Sequence, residues 1–132
     1  MAQIDSSKKL NADLSCKTPR WRQLKNDLNN LNVAQFIKHI KVFPNTNIVD
    51  VRTTLEFDQG HLPNAINIDY LADDFLDHLD SLDKEQQYIV YCRSGRRSLR
   101  VCTWMVNGGF DRTKIFNLEF GYQSWLTYEM NM

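Results

Sequence analysis

The run Tyr88-Ile89-Val90-Tyr91 ends abruptly at Cys92, and Arg93-Ser94-Gly95-Arg96-Arg97-Ser98 follows before a helical pattern begins. A cysteine at a strand end, feeding a loop and then a helix, has a chemical consequence. Unpaired backbone N–H groups at the helix start can point at the sulfur, and the helix dipole favours negative charge there. The thiolate is the reactive form of cysteine, so this placement favours a nucleophile. Arg93, Arg96 and Arg97 add fixed positive charge for an incoming anion, and Gly95 permits tight backbone curvature. A lone cysteine is ordinarily a small buried residue. Here cations, a glycine and a helix start converge within six residues, which favours chemistry.

Other groups compete for roles. His61 is the tempting general base, because a Cys–His pair is a familiar nucleophile arrangement. Asp50 ends an apolar strand as Cys92 does, which places both at one rim of a sheet. Arg52 and Glu56, four apart, are expected to form an ion pair, worth under about 1 kcal/mol if exposed. Cys102 lies on an inner helix face with Val101 and Met105 and is read as packing. Cys16, in a polar stretch, is read as incidental.

The elements that must position these residues are legible in order. Residues 1–27 form a polar, mixed-charge extension, in which Trp21, Leu24 and Leu28 have helical spacing after Pro19. Removing residues 1–18 is expected to leave folding and activity nearly unchanged. The body of the chain is then 28–132. Asn32 caps a helix with Gln35 as its capping-box partner, and Val33, Phe36, Ile37 and Ile40 form its apolar face. Ile48 to Val51 reads as a buried strand. Thr53 and Glu56 open a short helix that Gly60 ends. Ala65 to Ile68 is the next strand, and Leu71, Phe75, Leu79 and Leu82 mark another helix. Tyr88 to Tyr91 delivers Cys92, and Gly108-Gly109 stops the helix that follows. Lys114 to Asn117 is a last strand, and Tyr122, Trp125 and Leu126 belong to a last helix. Strands alternating with helices imply an α/β architecture with a mainly parallel sheet, whose ligands bind at the carboxyl ends of strands.

The chain has 132 residues with 16 Lys+Arg and 16 Asp+Glu, giving zero formal net charge. That fits one domain and argues against a general nucleic-acid or membrane-surface binder. Three cysteines make no disulfide framework, and no CxxC or His/Cys cluster suggests a metal. No apolar run opens the chain or is long enough to span a bilayer, so the expected location is cytoplasmic.

Cys92-Arg93-Ser94-Gly95-Arg96-Arg97-Ser98 after Tyr-Ile-Val-Tyr resembles the active-site loop of single-domain rhodanese sulfurtransferases. Three further blocks agree in order: Ile48-Val49-Asp50-Val51-Arg52 with Glu56-Phe57, Gly60-His61-Leu62-Pro63-Asn64-Ala65-Ile66-Asn67-Ile68, and Phe116-Asn117-Leu118-Glu119-Phe120-Gly121-Tyr122 with Trp125. The resemblance spans roughly residues 28 to 127. It implies a three-layer α/β fold with a mainly parallel central sheet flanked by helices. It also implies thiosulfate sulfurtransferase activity through a Cys92 persulfide, with no cofactor. Arg93, Ser94, Gly95, Arg96, Arg97 and Ser98 are the implied substrate loop, and Asp50, Arg52, Glu56 and His61 its structural support. The implied partners are a small anionic sulfur donor and a thiol or protein acceptor. One departure stands out: the family usually has two glycines after the glutamate, and Phe120 takes the first position. It is expected near the mouth of the site, where it bears on substrate choice.

Two other readings share the loop. A persulfide carrier or partner-docking module needs the same cysteine without turnover. A cysteine phosphatase or arsenate reductase uses a thiolate in an arginine-bearing loop, but the related phosphatases need Cys-x5-Arg. Cys92 to Arg97 is Cys-x4-Arg, one residue shorter and better matched to a terminal sulfur than to a phosphoryl group.

Overall fold

The computed structural model describes residues 28–131, so the expectations for the extension lie outside the described residues. Chain order is β1 (Asn29–Leu31), α1 (Val33–Val42), β2 (Asn47–Asp50), α2 (Thr54–Gln59), β3 (Ala65–Asn67), α3 (Phe75–Asp80), β4 (Tyr88–Tyr91), α4 (Arg96–Asn107), a 3-10 turn (Arg112–Lys114), β5 (Ile115–Leu118) and α5 (Gly121–Met130). The strands form one five-stranded sheet in the order β1-β5-β4-β2-β3, and every pairing is parallel. The strand that delivers Cys92 is therefore central.

Parallel strands are covered on both faces, and the two-residue side-chain period sorts the core accordingly. Val49, Val51, Tyr88, Val90 and Cys92 pack with Phe75, Leu79, Val101, Cys102 and Met105 from α3 and α4. Ile48, Ile89, Tyr91 and Leu118 face the other way, onto Val33 and Phe36 of α1, with Tyr122 and Trp125 of α5 against them. Each fully buried aliphatic side chain contributes about 1.5–3 kcal/mol relative to exposure. The result is the three-layer α/β fold expected from the sequence.

Both expected capping boxes form. The Asn32 side chain accepts from the Gln35 N–H and the Gln35 side chain accepts from the Asn32 N–H, both at 2.8 Å. The sequence offers no strand signal at Asn29–Leu31, yet β1 pairs with β5. One expectation is corrected. The helix expected from Leu71 to Leu82 is only the six residues of α3. The Asp69 carboxylate accepts the Leu71 N–H at 2.8 Å, and the Asp69 carbonyl accepts the Ala72 N–H, so the chain turns where the apolar spacing suggested a helix. Among the described residues, no helix is long and apolar enough to cross a membrane.

Candidate active site

Cys92 directly follows β4, and the chain turns through Gly95 at φ 97° to enter α4. A side chain at Gly95 would overlap the Glu119 carbonyl oxygen as well as strain the backbone. The turn brings two amides onto the sulfur. The Gly95 N–H donates to Cys92 Sγ at 3.2 Å and the Ser98 N–H at 3.4 Å. Cys92 is only 2% exposed, so these donors act in a site with little water.

The loop is clamped from two sides. From β5, buried Asn117 accepts the Ser98 hydroxyl at 2.6 Å and donates to the Gly95 carbonyl at 3.3 Å and to Asn30 Oδ1 at 3.0 Å. Gly95 and Ser98 are the two residues whose amides reach the sulfur, and Asn117 holds both. From α5, the Tyr122 and Gln123 N–H groups donate to the Cys92 and Arg93 carbonyls at 2.9 and 3.1 Å. Gly121 allows that approach: at φ 64°, an added Cβ would lie within 2.6 Å of both carbonyl oxygens. Asn117→Ala should remove the acceptor of the buried Ser98 hydroxyl, leave the Gly95 carbonyl with only the Leu99 N–H, and cost about 1–3 kcal/mol. Urea unfolding of the variant checks the expectation, and an unchanged midpoint refutes the clamp.

Beside the loop, Asp50 and Arg52 form a buried pair, 0% and 4% exposed. The Arg52 guanidinium donates to both Asp50 oxygens, with its shortest bond at 2.7 Å, and also donates to the Gly60 carbonyl at 2.6 Å. It sits 4.2 Å over the Tyr122 ring. The Tyr91 hydroxyl donates to Asp50 Oδ2 at 2.7 Å and accepts the Leu62 N–H at 3.0 Å. Burial, reinforced by the Asp50 hydrogen bond, pushes the Tyr91 phenol well above its usual range. Burial disfavours the Arg52 cation, but hydrogen bonding to Asp50 and its charge more than offset that and raise the Arg52 pKa. The residue preceding Cys92 is thus locked to the neighbouring strand's carboxyl end.

The expected Arg52–Glu56 pair is replaced. Asp50 and Arg52 meet across the turn that follows β2, where the Arg52 N–H also donates to Asp50 Oδ1 at 2.8 Å, whereas the Glu56 carboxylate accepts the Thr53 N–H and hydroxyl, both at 3.1 Å. His61 Nδ1 donates to the Phe57 carbonyl at 2.9 Å while its ring stacks on Phe57 at 3.8 Å. Arg93, Ser94 and Arg96 are exposed along the loop. The Arg97 guanidinium lies 4.7 Å over the Tyr70 ring, on the outer side of the first turn of α4. Cys102 Sγ contacts the Phe116 carbonyl at 3.6 Å, and burial, with the Cys92 charge adding to it, pushes its thiol pKa up. Phe120, 55% exposed, joins Ser94, Gly95, Arg96 and Glu119 around a cavity of about 230 Å³ beside the loop. Tyr91 and Asn117 had no individual role in the sequence reading. Their only signal is a polar group within an apolar run.

Comparison with known proteins agrees with this architecture. YtwF of Bacillus subtilis (strain 168) is 30% identical over 99 residues, covering 75% of this chain and 91% of the relative. Thiosulfate sulfurtransferase 16, a chloroplastic protein of Arabidopsis thaliana, is 32% identical over 104 residues, covering 71% of this chain and 85% of the relative. The crystal structure of a rhodanese-like domain protein from Staphylococcus aureus superposes with a TM-score of 0.65 at 30% identity, covering 74% and 91% of the two chains. The sequence pattern of the rhodanese-like domain matches residues 23–128, a span that takes in the Asp50 network, the cysteine loop and the Gly121 turn that closes it, and this chain belongs to that family.

Proposed function

We propose that the protein is a sulfurtransferase that carries a sulfane sulfur on Cys92. The Cys92 thiolate attacks the outer sulfur of a donor such as thiosulfate. A new S–S bond forms to Cys92, the donor's own S–S bond breaks, and sulfite leaves with the electron pair. An acceptor nucleophile, cyanide or a thiol, then attacks the outer sulfur and releases Cys92 as thiolate. The observation that carries this reading is the pair of backbone donors, Gly95 and Ser98, set at 3.2 and 3.4 Å from Cys92 Sγ. Fixed donors of this kind stabilise anionic sulfur without reorganising. Arg93 and Arg96 supply positive charge for the donor anion, and Ser94 lines the way in. Arg97, placed over Tyr70, acts more from the rim, and Ser98 serves through its amide while its hydroxyl holds Asn117. The chemistry needs a free thiol, which a reducing compartment such as the cytoplasm preserves.

Intact-mass measurement tests this reading. Incubation with thiosulfate should add one sulfur atom to the protein, and cyanide should remove it. Failure to gain sulfur, or robust Cys92-dependent hydrolysis of an aryl phosphate, would overturn the assignment.

A further inference from the structure

A second concave surface opens at the same rim, on the far side of Arg97 from the loop. The Tyr70 and Trp104 rings are parallel within 5° at 6.2 Å, and Phe75 meets both edge-on at 5.5 and 6.2 Å. With Leu76 they line a groove of about 480 Å³, against about 230 Å³ for the cavity beside Phe120. Trp104 is 37% exposed, Leu76 60% and neighbouring Leu71 69%, so an apolar cluster meets water here. Covering such a cluster is favourable.

Its position ties it to the site. The Ile68 and Tyr70 N–H groups donate to the Asp50 and Val51 carbonyls at the carboxyl end of β2, next to the strand that ends at Cys92. α4 carries the sulfur loop at its first turn and Trp104 two turns on, roughly 12 Å along the helix axis. Three or four extended residues span that distance.

The charge on its α3 side is acidic. The chain has no lysine or arginine between Arg52 and Lys84, and Asp73 and Asp77 line the groove with Asp74 and Asp80 flanking them. The facing helix contributes exposed Arg97 and Arg100, of which Arg97 lies over Tyr70 with its charge directed in part at Asp69, so four α3-side carboxylates meet two cations. An acidic lip over an apolar floor repels nucleic acid and anionic lipid and attracts a basic polypeptide.

We propose that this groove docks the protein that accepts sulfur from Cys92. The docking segment has an aromatic or aliphatic anchor for the Tyr70–Trp104 floor and lysine or arginine beside it for Asp73 and Asp77. The acceptor cysteine lies three or four residues away. Its thiolate attacks the outer sulfur of the Cys92 persulfide, a new S–S bond forms on the partner, and Cys92 leaves as thiolate. No external oxidant or reductant takes part. This inference rests on the sulfurtransferase reading, because it names that reaction's acceptor class.

The test uses two synthetic peptides, Cys-Gly-Ser-Lys-Trp-Lys-Leu and its counterpart with glutamate for both lysines. Protein carrying sulfur on Cys92 should transfer it to the basic peptide at least tenfold faster at low ionic strength, with the preference collapsing at high salt. Asp73→Lys combined with Asp77→Lys should erase the preference, as should Trp104→Ala, while transfer to cyanide stays unchanged. Equal rates for the two peptides, or a preference that survives those substitutions, would overturn the proposal. A second arm needs no sulfur chemistry. In an NMR titration, the basic peptide with serine in place of cysteine should shift resonances of α3 and Trp104 in full-length protein. Binding without sulfur loading would uphold the groove while sinking the sulfurtransferase reading; sulfur loading without binding would do the reverse. Sedimentation showing a dimer that Trp104→Ala returns to monomer would place a second copy of the chain on this face and would also overturn it.

Discussion

Cys92→Ser is expected to reduce sulfur transfer from thiosulfate to cyanide to the uncatalysed background and to leave a protein that gains no mass on thiosulfate treatment. The substitution exchanges sulfur for oxygen at a position that is 2% exposed and held by the Gly95 and Ser98 amides. A hydroxyl accepts those two hydrogen bonds as well as a thiol does, so the fold should persist and the melting temperature should move little. What disappears is the nucleophile, because a serine hydroxyl is neutral near pH 7 and the groups that bond this position are the Gly95 and Ser98 amides rather than a base. Cys102→Ala is the control. Its thiol is sealed in the core and its pKa is raised by burial, so that variant should keep transfer within about twofold while losing about 1 kcal/mol of packing. Sulfur accumulating on the Cys92→Ser protein would show that the nucleophile lies elsewhere.

Asp50→Ala should be the most destabilising single change near the site. Arg52 would remain 4% exposed with its carboxylate partner gone, and the Tyr91 hydroxyl would lose its acceptor. Breaking a buried pair by removing one member costs about 3–5 kcal/mol. Against a total stability of about 5–15 kcal/mol, that loss brings the protein near its unfolding threshold. Urea denaturation gives the measurement, read as a fall in midpoint at constant slope. The double change Asp50→Leu with Arg52→Met should recover part of the loss, because an apolar pair of similar volume leaves no charge stranded. A single-variant loss under about 1 kcal/mol would mean that water reaches Arg52 and the network is not sealed.

Much of this site is legible in local chemistry. The apolar run Tyr88–Tyr91 ending at Cys92, the glycine at the bend and the helix after it lie within a few residues of one another, so their spacing alone implies amides turned toward a sulfur. The capping boxes at Asn32 and Thr53 are equally local, and both form. The alternation of strands with helices leaves few arrangements other than a covered parallel sheet. Tertiary structure decides what depends on distant partners. Asn29–Leu31 becomes a strand only because β5 offers it a free edge. Arg52 is held in its buried place by the Tyr122 ring from α5 and the Gly60 carbonyl as well as by Asp50. Asn117 reaches Ser98, Gly95 and Asn30 across separations of 19, 22 and 87 residues. Arg97 of α4 settles over Tyr70, which lies in the connection between β3 and α3. Periodicity and caps report energies that act within a turn or two of chain. A buried polar side chain instead takes whichever partner the folded topology leaves within hydrogen-bonding reach, and no local pattern encodes that choice.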